Sequence, residues 1–299
     1  MKQKLLFVII TLSIITVLIT GCRDGSAEQS VEGGSQTMNS ADEDSKWADC
    51  GNIYATVVQY SGENESTEKY LEIAERSQML FSLLEENADA FVMNADNYLD
   101  IHHDGTPLYT MNEHNYPVEI APNGQSIQVS RNYFYFNPIE TVDGSDLIEQ
   151  IIYDDMTLNV LVPEKYQEME DQIIEAYRSD FYFQKVVAEN DYNEMAGIDI
   201  RSDIREEDLI INIIYVKDGQ QYFTYRKDCA TDTDNWITDP VVQIYTSNIH
   251  CNYAHSFMSQ WVYFSSDGDT AEMAFEDIRP YVEQCNAEDS FQQVRPIYN

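Results

Sequence analysis

The sequence predicts an α+β fold: a mixed or antiparallel sheet with helices packed mainly on one face. Two observations carry this. Strand-type runs outnumber helical ones, and strand-then-helix units begin near Ile53, Leu158 and Trp261 without a helix following every strand, which disfavours a doubly wound parallel sheet. The 299 residues, 43% hydrophobic and 12% aromatic, supply enough apolar surface to bury a core, and the 23% charged fraction is ordinary for a globular chain.

The elements follow in order. Ile53 to Tyr60 is β-branched and aromatic, hence a strand. Thr67 to Glu86 places Tyr70, Ile73, Ala74, Leu80, Phe81 and Leu84 near a 3.6-residue period, hence an amphipathic helix. Short strands are expected at Ala90–Met93, Val118–Ile120, Ile127–Val129 and Tyr133–Phe136. Leu158 to Val162 reads as a fully buried strand, and Pro163 opens a helix with Tyr166, Met169, Ile173, Ile174, Tyr177 and Phe181 on one face. Leu209 to Val216 and Gln220 to Tyr225 flank Asp218-Gly219, which predicts a hairpin. Val241 to Tyr245 and Trp261 to Phe264 add two strands, and Asp269-Thr270-Ala271-Glu272 is a capping pattern for a last helix toward Cys285.

The N-terminus reads as a targeting segment. Lys2 and Lys4 precede an apolar run from Leu5 to Thr20, which is short for a spanning helix. The run stops at Ile19-Thr20-Gly21-Cys22, a junction that resembles the lipobox of bacterial lipoproteins, in which the cysteine is lipidated and the signal is cut before it. An uncleaved signal anchor is the alternative; either way the body of the chain is expected outside the cytoplasm. The expected organisation is a signal peptide over 1–21, a flexible acidic tether over 22–46 and a folded domain over 47–299. A division of that domain into two subdomains near 140–157 stays open. No stretch after Cys22 approaches membrane-spanning length. Beyond Cys22, the four cysteines allow three pairings, of which Cys50–Cys285 and Cys229–Cys251 are favoured, in a compartment that permits oxidation.

With 53 acidic and 17 basic side chains the formal charge is −36. Such a surface repels phosphate backbones, so nucleic acid is excluded as a partner. It attracts cationic partners, although solubility alone is the plainer reading.

No catalytic signature stands out, and no cofactor is implied. Ser66-Thr67-Glu68-Lys69 matches the S-x-x-K of serine acyl-enzymes, but the companion motifs are missing and a chance match at a helix start explains it. His102-His103 with Asp104, or His250, Cys251 and His255, lack zinc-site spacing, so these and His114 are read as surface imidazoles. Asp228, Asp232, Asp234 and Asp239 lack the glycine and closing glutamate of a calcium loop and read as a solvated acidic loop. The aromatic runs around Tyr133 and Tyr135, and around Tyr222 and Tyr225, suit core strands; an aromatic face that meets a partner is the second option.

Tyr135-Phe136-Asn137-Pro138-Ile139, then Leu158 to Tyr166, then Asp218 to Tyr225 and Asp239-Pro240-Val241-Val242, together and in this order, resemble the extracytoplasmic domain of the bacteriocin-associated integral membrane proteins. These are permease-like subunits of ABC exporters from Gram-positive bacteria. Members of that family have several membrane spans, and this chain has none after its signal. The resemblance therefore implies a lipid-tethered copy of the outer domain on the outer face of the cytoplasmic membrane, serving beside an exporter permease or in immunity to a cationic peptide. Two function classes compete: a non-enzymatic binding or accessory module, and an extracellular hydrolase of peptide or cell-wall substrates. The absence of a nucleophile–base constellation favours the first.

Overall fold

The computed structural model describes residues 46–62, 64–100, 105–111 and 115–298. Its frame is an eight-stranded sheet, built from β1 (Ile53–Thr56), β2 (Phe91–Asn94), β3 (Ser126–Ser130), β4 (Thr157–Pro163), β5 (Ile210–Val216), β8 (Val241–Tyr245), β9 (Val262–Ser265) and β10 (Val294–Pro296). The strand order is β10-β1-β9-β2-β3-β8-β4-β5. The β3–β8 and β4–β5 pairs are parallel and the others antiparallel, so the sheet is mixed. A separate ribbon pairs β6 (Gln221–Phe223) with β7 (Trp236–Thr238). Strands from before 140 (β1, β2 and β3) lie between strands from after 157 in the one large sheet, so no sheet boundary falls at that stretch.

The long helices lie on one face. They are α1 (Thr67–Asn87), α4 (Glu170–Tyr182), α5 (Ala188–Met195), α6 (Cys251–Gln260) and α7 (Ala271–Gln284). Tyr245 of β8 packs against Phe81 of α1 and Phe257 of α6 on this face, with ring centroids 5.4 and 5.3 Å apart. Gln243, two residues earlier and so on the same face, donates to Asp180 of α4 at 3.0 Å. The opposite face is covered by the β6–β7 ribbon and two single-turn helices, α2 (Tyr133–Phe136) and α3 (Leu147–Gln150). There Phe91 of β2 sits among Tyr133, Phe136, Tyr225 and Tyr263 at centroid distances of 5.0–5.9 Å. With both faces covered, all seven residues of β4 are buried, including Asn159, whose side chain is satisfied by the Ile152 N–H and carbonyl.

Local chemistry sets the helix starts. Ser66 caps α1 by accepting from the Lys69 N–H at 3.3 Å, and the buried positions Ile73, Ala74, Ser77, Leu80, Phe81 and Leu84 keep the helical period. Thr270, one residue after Asp269, caps α7 by accepting from the Met273 N–H.

Three expected elements differ. Residues 118–120 form a turn, with the Ala121 N–H donating to the Pro117 carbonyl and the Gln125 N–H to that of Val118. A Cβ on Gly124 would stand 2.2 Å from the Val118 oxygen, so only glycine permits this close approach. Tyr133–Phe136 is a helical turn rather than a strand: residues 133 and 134 are both buried while Tyr135 is 60% exposed, which no alternating strand can provide. Asp218-Gly219 does form a turn, with Gly219 at φ +81°, but its flanking runs do not pair. β5 joins β4 and β6 joins β7, so the turn hands the chain from one sheet to the other.

The four described cysteines are buried free thiols, and neither Cys50–Cys285 nor Cys229–Cys251 is formed. Each occupies its own environment. Cys50 Sγ donates to the Lys46 carbonyl and Cys229 Sγ to the Ala95 carbonyl, both at 3.3 Å. Cys251 opens α6, and Cys285 caps the C-terminal end of α7. Cys22, the signal and the tether up to residue 45 lie outside the described residues.

Candidate functional site

A polar cleft of about 480 Å³ lies between α1, α5, the 155 loop and the 247–251 segment. Helix spacing puts Glu68, Leu71, Glu72, Glu75 and Gln78 along one side of α1. Glu189 and Asn193 of α5 face it, Asp155 and Lys185 close one end, and Leu71, Ile198 and Ile249 supply apolar surface. Gln78 Nε2 donates to the Ser247 and Ile249 carbonyls at 3.2 and 3.3 Å, which fixes the 247–251 segment against α1.

The charges are unevenly compensated. Glu72 is held by Lys69 and Arg76, and Lys185 donates to Asp155 at 2.7 Å and to the Asn248 carbonyl at 3.0 Å. Glu75 and Glu189 form no ion pair with a described residue. Beside them, His250 stacks on Tyr192 (5.0 Å, 10° between planes), and Tyr192 on Tyr70 (5.5 Å, 17°). Burial holds the His250 pKa below its usual value, so the ring is neutral at pH 7. Burial pushes the Cys251 thiol up to about 12. Their sulfur-to-nitrogen separation of 4.0 Å therefore joins a neutral imidazole to a protonated thiol, without the thiolate that nucleophilic catalysis needs. What the cleft offers is three carboxylates, Glu68, Glu75 and Glu189, that pair with no described cation, beside the apolar side chains of Leu71, Ile198 and Ile249. That set suits a cation with an aliphatic stem.

The residues singled out from sequence are dispersed. Tyr133, Tyr222 and Tyr225 are at most 2% exposed. They are packing residues of the aromatic layer and cannot meet a partner. Tyr133 donates to the Phe223 carbonyl at 3.2 Å, and Tyr225 takes a bond from Asn137 at 2.8 Å. Tyr135 alone is exposed, at the mouth of a second cleft of about 430 Å³ where Lys217 and Glu140 pair. Ser66 is a helix cap, and the Lys69 ammonium turns away to Glu72.

His255 is not a surface imidazole. It is 3% exposed, with Nδ1 2.9 Å from Ser77 Oγ, while Ser77 Oγ also donates to the Ile73 carbonyl. The ring is thus the donor in a structural pair, and burial lowers its pKa to about 4. His102, His103, Asp104 and His114 lie outside the described residues. Asp239 is also not part of a solvated loop: it is 8% exposed, accepts from Lys165 at 2.8 Å and from the Gln220 N–H at 2.9 Å. Asp228 pairs with Arg226, whose guanidinium lies 4.3 Å from the Trp261 ring. No group of three or more His, Cys, Asp or Glu among the described residues has metal-site geometry, and no described helix is long and apolar enough to cross a membrane.

Sequence reasoning missed a polar stripe inside the helical face. Asn94 Nδ2 donates to Gln128 at 3.1 Å, Gln128 to Gln243 at 3.0 Å, and Gln243 to Asp180 at 3.0 Å. Gln184, in a π-helical turn over 183–187, adds a bond to Asp180 at 2.7 Å. The signal was present in Ser126-Ile127-Gln128-Val129-Ser130, whose polar side chains alternate with aliphatic ones and face the helices.

No protein-family model matches this chain, and neither does any curated protein or solved structure.

Proposed function

We propose that the chain is a lipid-anchored extracytoplasmic binding protein, accessory to an ABC-type peptide exporter or to peptide immunity, whose partner is a cationic peptide or a basic loop. It works without catalysis. The observation that carries this reading is the cleft where Glu75 and Glu189 stand uncompensated beside Leu71 and Ile249. A lysine or arginine side chain matches both features, its ammonium or guanidinium meeting the carboxylates and its methylenes the apolar wall. The net charge of −36 adds long-range attraction. The resemblance to an exporter's outer domain and the Cys22 junction supply the setting.

The test is a titration with a lysine-rich decapeptide across a salt series. Binding should weaken as the screening length falls from ~10 Å at 0.1 M to ~3 Å at 1 M salt. The double variant Glu75→Gln, Glu189→Gln should bind about tenfold more weakly, at somewhat under 1 kcal/mol for each partly exposed charge. Salt-independent binding, or turnover of a peptide or cell-wall substrate, overturns the proposal. The anchor is tested separately. Cys22→Ala should release the protein into the medium or leave an uncleaved precursor, whereas membrane retention at mature mass refutes lipidation.

A further inference from the structure

The large sheet ends on two unlike edges. β10 has three residues, and two of them, Arg295 and Pro296, are of the types that blunt an edge against further pairing. β5 is seven residues long, reads Ile-Ile-Asn-Ile-Ile-Tyr-Val, and carries neither charge nor proline. Its register against β4 runs unbroken from Ile210 to Val216, so no bulge turns it aside.

Backbone directions show which groups of β5 face outward. The Ile210 N–H donates to the Met156 carbonyl, on the β4 side. On the outer side, the Tyr215 carbonyl accepts from the Val142 N–H and the Lys217 N–H donates to the Glu140 carbonyl. A strand residue points its N–H and C=O the same way, and successive residues alternate. Ile211 and Ile213 therefore point outward with Tyr215, and no hydrogen bond from a described residue reaches their backbone groups. The backbone groups of Asn212 point inward, toward β4, and its side chain donates to the Gln150 carbonyl and to Asn159 at 3.0 and 2.9 Å. Ile210, at the open end, is 55% exposed.

We propose that β5 is a docking edge that receives an extended basic segment of a partner protein as a ninth strand. The four free backbone groups of Ile211 and Ile213 supply the ladder, as in other cases of strand addition. The charge of the partner follows from what the flanks leave unpaired. Arg205 neutralises Glu207 and Asp208 ahead of the strand, and Lys217 pairs with Glu140 after it, but Glu206, Asp218 and Glu149 of α3, whose Gln150 carbonyl holds Asn212, pair with no described cation. The edge also begins beside the acidic cleft, because Asp155 lines that cleft and the next residue, Met156, bonds Ile210. The partner's basic character rests on the reading in the preceding section; its strand form does not.

The probes are a (Val-Lys)5 decapeptide, a (Val-Thr)5 decapeptide, and a (Val-Lys)5 peptide N-methylated at alternate amides along one edge. The N-methylated peptide keeps the charge and side chains but loses the ladder donors. It should bind at least about tenfold more weakly than its parent, since each lost main-chain bond costs a factor of several. Residue-resolved amide exchange should slow at Ile211 and Ile213 on binding and stay unchanged at Ile210, Asn212 and Ile214. Equal binding of the N-methylated peptide overturns strand addition while the charge reading stands. Equal binding of (Val-Thr)5 with the alternating protection intact overturns the basic partner while the edge stands. If none of the three peptides binds, the proposal is overturned. So does a protein that sediments as a dimer with Ile211 and Ile213 already protected, which assigns the edge to a second copy.

Discussion

Replacing Phe91 by alanine is expected to remove about 3–5 kcal/mol of folding stability, the range for a fully buried phenylalanine whose neighbours cannot close the void. Phe91 is 0% exposed and touches four rings, Tyr133, Phe136, Tyr225 and Tyr263, contributed by three segments far apart in sequence. Those neighbours are themselves fixed. Tyr133 and Tyr225 spend their hydroxyls on Phe223 and Asn137, and Tyr263 is paired in register with Phe91 across β9 and β2. The layer therefore cannot relax inward, and the cavity term stays large. The measurement is the urea midpoint at constant slope, with Tyr135→Ala as the control. Tyr135 is 60% exposed, so its truncation should stay within about 0.5 kcal/mol. A Phe91→Ala loss below about 1 kcal/mol would show that the ribbon and α2 do not pack on this face as described.

The same aromatic layer shows where sequence reading succeeds and where it stops. β4, α1 and α7 were legible because periodicity and caps are local: seven buried residues in a row, apolar positions at helical spacing, and Thr270 at a helix start. The pairing of β5 was not. An Asp-Gly turn specifies a reversal of the chain, but the partner of β5 is set by β4, which is buried on both faces and needs a neighbour on each side. The chain reaches that place through the α4 crossover, a connection of the kind parallel strands require. Four successive aromatics at 133–136 fit a strand and a helical turn equally well until their neighbours are known; the helical turn buries Tyr133 and Phe134 in the core, as expected of core residues, and leaves Tyr135 exposed. The cleft is a similar case. The spacing of α1 points to its apolar face and does not single out Glu68, Glu72 and Glu75. Nothing local showed that Glu189 and the 247–251 segment, more than 110 residues away, would stand opposite.

The protein should gain stability on mild acidification through Asp180, and Asp180→Asn should stabilise it at pH 7.5. Burial pushes the Asp180 carboxyl up to about 6; the Gln243 and Gln184 amides pull it back only in part, and no cation among the described residues pairs with it. The unfolded value is near 3.9. A carboxyl whose folded pKa lies above its unfolded one takes up its proton more readily when folded. The penalty for burying the charge is thus fully present above about pH 6 and fades as the pH falls toward 4. A two-unit displacement corresponds to about 3 kcal/mol, and because part of the side chain keeps contact with solvent the expected cost at pH 7.5 is about 1–2 kcal/mol. Asparagine keeps an acceptor for both glutamine donors without the charge. Asp96 is also raised to about 6 by burial, with Arg226 opposing the rise, so the wild type and the variant share that dependence and the informative quantity is their difference. Thermal unfolding of both proteins from pH 7.5 to 4.5 should show a higher midpoint for Asp180→Asn at the alkaline end and convergence at the acid end. If the substitution instead destabilises at pH 7.5, the charged carboxylate is what holds Gln184 and Gln243 in place, and the π-helical turn over 183–187 depends on it.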